Sequence, residues 1–82
     1  MSPIAPAAQR YELFHEVSQP LSASARRVFV SRGLADRVRL RNVYYPEVLA
    51  DFAARGGKSL PALWDGERLV EGAAAVALLE QL

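Results

Sequence analysis

Lys58-Ser59-Leu60-Pro61-Ala62-Leu63-Trp64-Asp65-Gly66-Glu67-Arg68-Leu69-Val70-Glu71-Gly72 sets a proline at the entrance of one apolar run and an Asp-Gly pair between that run and the next. Asp65-Gly66 tolerates the positive φ of a tight two-residue turn, so Ala62-Leu63-Trp64 and Arg68-Leu69-Val70 are predicted to pair as an antiparallel hairpin. Pro61 has no N–H to give to a ladder and belongs at the mouth of a strand, where the missing donor does no harm. After Gly72, Ala73 to Leu82 is a helix-forming run that packs through Ala75, Val76, Leu79 and Leu82, with Leu78 beside them.

Upstream, Arg10 to Val17 alternates Tyr11, Leu13, His15 and Val17 with Glu12, Phe14 and Glu16, the period of a strand. Phe14 interrupts the polar side, so the middle of this strand calls for cover on both faces. Ser18-Gln19-Pro20-Leu21-Ser22 turns the chain into a helix running from Leu21 to about Arg32, with Leu21, Ala25, Val28 and Phe29 at helical spacing. Pro20 suits its first turn, Ser18 or Gln19 its cap, and Arg26, Arg27 and Arg32 its solvated side. Gly33 ends that helix, and Val38 to Val43 alternates again as a second strand. Tyr44-Tyr45-Pro46 leads into another helix, with Pro46 at its first position, Glu47 in its first turn, and Val48, Leu49, Phe52 and Ala53 as its buried face. Gly56-Gly57 stops it. Tyr44 and Tyr45 read as partly buried loop aromatics or as a binding surface. The order β-α-β-α-β-β-α covers about residues 10–82, and a right-handed crossover makes the first two strands parallel. Residues 1–9, with Pro3 and Pro6, read as a flexible leader.

The chain has 82 residues, the size of one small domain. About half of the residues are hydrophobic and about a quarter charged, and a net charge of +1 makes no case for nucleic acid or an anionic membrane. No apolar run reaches the roughly 18 residues of a membrane span, and Met1 to Arg10 lacks the order of a signal peptide, so a cytoplasmic location is expected. Cysteine is absent, which excludes disulfides and thiolate chemistry in this chain. His15 is the only histidine and cannot make a metal site by itself.

Strand, Asp-Gly turn, strand, glycine and helix in that order resemble the second half of a thioredoxin-fold domain, specifically of glutaredoxins and of the N-terminal domains of glutathione transferases. The resemblance implies a glutaredoxin-type α/β fold, a four-stranded mixed sheet with three helices, in which the proline equivalent to Pro61 is cis and its neighbouring backbone pairs with the cysteine of glutathione. Glutaredoxins place Cys-Pro-Tyr-Cys at the N-terminus of the first helix, where the dipole and free N–H groups favour a thiolate. Aligned on the proline, this chain reads Gln19-Pro20-Leu21-Ser22. Ser22 stands for the second cysteine, as in monothiol members. Gln19 stands for the nucleophile, and an amide cannot carry a mixed disulfide. By the same resemblance Leu60-Pro61 keeps the backbone element of the glutathione site and Glu71-Gly72 keeps half of the transferase Glu-Ser pair. Glu16 stands where a lysine is usual and Ala74 where glutaredoxins have aspartate.

Three functions follow as expectations. The first is a redox-inert glutaredoxin-like domain that binds a protein partner or small ligand through the former active-site face, with Gln19, Ser22, Leu60, Pro61, Glu71 and Gly72 as ligand-binding residues and an exposed apolar patch around Leu21, Pro61 and the nearby tyrosines. The second is a transferase-like enzyme that binds glutathione and stabilises its thiolate with the hydroxyl of Ser18 or Ser22. Helix capping is the alternative role of both serines, and no general base is evident. The third is a domain or variant of a redox protein whose cysteines were substituted. Neither metal nor nucleic acid is expected, and oligomeric state is left open.

Overall fold

A computed structural model describes residues 10–82. The leader predicted for residues 1–9 lies outside them. Among the described residues the order is β1 (Tyr11–His15), α1 (Pro20–Ser31), β2 (Val38–Asn42), α2 (Pro46–Ala54), β3 (Ala62–Trp64), β4 (Leu69–Glu71) and α3 (Ala73–Leu79). The strands form one mixed sheet in the order β2-β1-β3-β4. β1 and β2 run parallel, and β3 is antiparallel to both β1 and β4.

Alternation along the strands divides the interior in two. Leu13, Val38 and Leu63 point to one face and pack with Ala25 of α1 and Ala75 and Leu79 of α3, joined by Tyr11, Phe29 and Leu78. Phe14 and Ala62 point to the other face and pack with Val43 and with Phe52 of α2, joined by Val48, Leu60, Trp64 and Leu69. β1 is covered on both faces, as Phe14 requires: Leu13 and Phe14 are wholly buried. Two helices therefore lie on one side of the sheet and one on the other.

Each helix start and stop has a local cause. Pro20 opens α1 and Pro46 opens α2, at positions whose N–H would lack a helical partner in any case. The Gln19 side chain caps α1 by accepting the Ser22 N–H at 2.6 Å. α1 ends on Gly33 at φ 63, with Gly33 N–H donating to the Val30 carbonyl and Leu34 N–H to that of Phe29. α2 closes the same way through Gly56 and Gly57. A Cβ at Gly57 would fall 2.3 Å from the Phe52 ring, so the glycine admits that ring to the core.

Several local expectations are corrected. The hairpin turns one residue later than predicted: Asp65 N–H donates to the Arg68 carbonyl, which makes Gly66 and Glu67 the central pair, and the second strand is Leu69–Glu71. Gly66, at φ 105, carries the positive dihedral alone, while the Asp65 carboxylate accepts the N–H groups of Glu67 and Arg68 at 2.8 and 3.0 Å. α3 ends at Leu79 rather than Leu82, though Leu82 still packs on the core. In α1 the buried positions are Ser22 and Ala25, and Leu21 is exposed. In α2, Leu49 and Ala53 face outward, because Asp51 and Arg55 take the sheet side.

That polar cover is a closed set of charges. Arg41 of β2 pairs with Glu12 of β1 and with Asp51, the latter at 3.1 Å. Arg55 reaches Glu12 at 3.2 Å and Asp51 at 2.9 Å. The guanidinium of Arg55 lies over the rings of both Phe14 and Trp64, and that of Arg41 over Phe14, so the cations also cover aromatic surface. Burial opposes the charge of Asp51, but hydrogen bonds and attraction from Arg55 and then Arg41 win and hold its carboxyl below the ordinary range.

Candidate functional site

The register fixes which segments meet. His15 lies beside Asn42, Phe14 opposite Ala62, and Ala62 opposite Glu71. One end of the sheet therefore gathers the ends of β1, β2 and β4, the start of β3, and the N-termini of α1 and α3. All seven residues singled out in the sequence, Ser18, Gln19, Ser22, Leu60, Pro61, Glu71 and Gly72, belong to segments at this end. The Leu60–Pro61 bond there is cis.

The β1–α1 loop is held by its own side chains. Gln19 N–H donates to the Glu16 carbonyl at 3.1 Å, and Gln19 caps the helix as above. Ser22, wholly buried, accepts the Glu16 N–H on its hydroxyl at 3.2 Å. Ser18 donates its hydroxyl to the Glu16 carboxylate at 2.7 Å, and its N–H reaches the same oxygen. Both serines are thus tied to Glu16: the only basic group in these contacts is its carboxylate against the Ser18 hydroxyl, a weak base toward an alcohol, and the contacts place none against Ser22. Capping of α1 falls to Gln19 rather than Ser18.

Arg26, predicted to be solvated, instead crosses back over this loop. Its guanidinium donates to the carbonyls of Glu16 and Val17, each at 3.3 Å, and lies 3.2 Å from His15 Nδ1. A guanidinium has no acceptor, so Nδ1 must be the accepting nitrogen and the imidazole neutral. Burial, and then the charge of Arg26, lower the pKa of His15 accordingly. Arg27 and Arg32 are exposed, as expected. The signal for Arg26 was its spacing: Ser22, Ala25, Arg26 and Phe29 share one helical stripe, visible once Ser22 is counted as buried.

On the β3–β4 side, Pro61 is wholly buried and its carbonyl accepts the Gly72 N–H at 2.8 Å. The proline therefore does not contribute exposed surface, contrary to the patch expected around it. Glu71 spends one carboxylate oxygen on the Lys58 N–H at 2.9 Å. Gly72, at φ 68, opens α3 without a side-chain cap. Leu60 is half-buried against the Phe14 cluster.

Exposed apolar groups do collect at the same end. Val17 and Leu21 flank the start of α1, and Tyr44 and Tyr45 stand edge to face between β2 and α2, with Tyr44 74% exposed. The tyrosines are surface residues rather than partly buried ones. A shallow groove between α1 and α3, lined by Ser24, Arg27, Val30, Val76 and Glu80 among others, contains none of the seven candidate site residues. Among the described residues no group of His, Asp and Glu could hold a metal ion, and no helix is long and apolar enough to cross a membrane. No protein-family model, curated protein or solved structure matches this chain.

Proposed function

We propose that this chain is a redox-inert, glutaredoxin-like binding domain of the thioredoxin fold, which holds a protein partner or a small ligand at the strand-end face. The observation that carries the reading is the convergence of the Gln19-capped start of α1, Leu60–Pro61 and Glu71–Gly72 at one end of the sheet, beside the exposed Val17, Leu21, Tyr44 and Tyr45. Gln19, in the place of the nucleophile, has an acceptor oxygen committed to the helix cap and no thiol to offer. Backbone groups and aromatic surface remain to do the binding. A transferase role for Ser18 or Ser22 has less support, since one hydroxyl is bonded to Glu16 and the other is enclosed under the loop.

Titration of isotope-labelled protein with reduced glutathione to millimolar concentration, followed by NMR, tests both readings. Small, non-saturating shifts at Ser18, Ser22, Leu60, Glu71 and Gly72 are expected if the ligand is a partner protein. Clustered, saturating shifts there would make glutathione a ligand of this face. Conjugation of an electrophile, lost on Ser18→Ala or Ser22→Ala, would replace the binding-module reading by the enzymatic one.

A further inference from the structure

Among the described residues β2 is an edge strand, and no other strand pairs with its outer side. The parallel ladder to β1 opens with Tyr11 N–H on the Arg37 carbonyl and finishes with Val43 N–H on the His15 carbonyl. Backbone groups of one residue point to one side of a strand and alternate along it, so 37, 39, 41 and 43 face β1 while Val38, Leu40 and Asn42 face away. Val38 N–H is taken by the Leu34 carbonyl and the Asn42 carbonyl by Tyr45 N–H. The N–H and C=O of Leu40, the Val38 carbonyl and the Asn42 N–H are left pointing out of the sheet, the pattern that accepts one more strand.

The charges along this edge select among occupants. Arg37 and Arg39 are exposed, and among the described residues neither has an ion-pair partner; Arg41, on the same side as Arg39, is held by Glu12 and Asp51. Asp36 is the one carboxylate beside them in sequence. A second copy pairing antiparallel about Leu40 would set Arg39 opposite the other copy's Arg41 on both sides, which like-charge repulsion disfavours. Leu40, 40% exposed on the α1 and α3 face, offers an apolar contact on the side of the sheet opposite the cations, as an extended segment with alternating side chains requires. We infer that the free edge of β2 binds an extended peptide segment of a partner protein, with acidic side chains set against Arg37 and Arg39 and an apolar one against Leu40.

The site is on a different edge from the strand-end face and does not depend on that face binding anything. The test uses labelled protein and a short capped peptide of alternating glutamate and valine, with the same peptide carrying lysine for glutamate as control. Saturating shifts at the Leu40 and Asn42 amides and slowed exchange of the Leu40 N–H are expected with the acidic peptide, weakening with salt, and at least tenfold weaker binding with the basic one. Leu40→Pro removes the outward N–H together with the apolar side chain and should abolish binding. Should that variant not fold, Arg37→Glu with Arg39→Glu, at exposed positions, should reverse the preference between the peptides. Unchanged Leu40 and Asn42 amides, equal binding of both peptides, or Leu40 protection that rises with protein concentration in the absence of peptide would each overturn the inference, the last by making a second copy the occupant.

Discussion

Gly57 and His15 carry consequences out of proportion to their place in the pattern. Gly57→Ala forces the Phe52 ring to move, and overpacking of this kind costs about 1–3 kcal/mol; the denaturation midpoint should fall accordingly, with the slope unchanged. His15 sits buried beside a cation, and its pKa in the fold lies below the usual 6.5. In mild acid the unfolded chain therefore takes up this proton before the native one does. The stabilisation is complete above about pH 6.5 and declines as pH falls through that value toward the lowered native pKa. Urea titrations across this window should show stability rising with pH, and His15→Gln should flatten the rise. Ser22→Ala leaves the Glu16 N–H without its acceptor in a part-buried loop, at a cost of roughly 1–3 kcal/mol, which calorimetry would read as a lower melting temperature.

At the scale of elements, the ends of helices were legible because prolines and glycines act locally: Pro20, Gly33, Pro46 and Gly56 stand where the helices open and close. Buried faces were less legible. Counting apolar residues assigned Leu21, Leu49 and Ala53 to the interior, whereas Ser22, Asp51 and Arg55 turn inward because each finds a polar partner there. Such partners lie far off in the chain; Arg41 and Glu12 are 29 residues apart, beyond any periodicity. The candidate site was legible as a set of segments but not in its bonding, since Arg26 and Glu16 organise the loop through contacts that no motif encodes. Removal of Arg41 alone leaves Glu12 short of a cation in a part-buried setting. Arg41→Met should therefore cost about 1–3 kcal/mol, below the range for a fully buried pair. Replacing Glu12 and Arg41 together by apolar residues should cost less than the sum of the single changes, as a double-mutant cycle would measure. Asp51, whose carboxyl is held below its ordinary range, adds stability above the unfolded value of 3.8 that is lost as pH falls through the lower native one. That places a second acid transition well below the one from His15.

Across the whole molecule, the β-α-β-α-β-β-α order was readable from alternating periods and turn residues, but the strand order was not. Which strand lies central depends on β1 being apolar enough for both faces, and only Phe14 hinted at it. The sheet is the wall between two small cores, and each core has its own signal. The single tryptophan, Trp64, lies on the α2 side under Arg55, and the single histidine, His15, on the side of α1 and α3 under Arg26. Indole fluorescence and the imidazole proton resonances thus report on opposite faces without any label. If the sheet transmits stability between its faces, the two signals will change at one denaturant concentration; if α2 can leave its face alone, the fluorescence will move first while the histidine stays in its native environment.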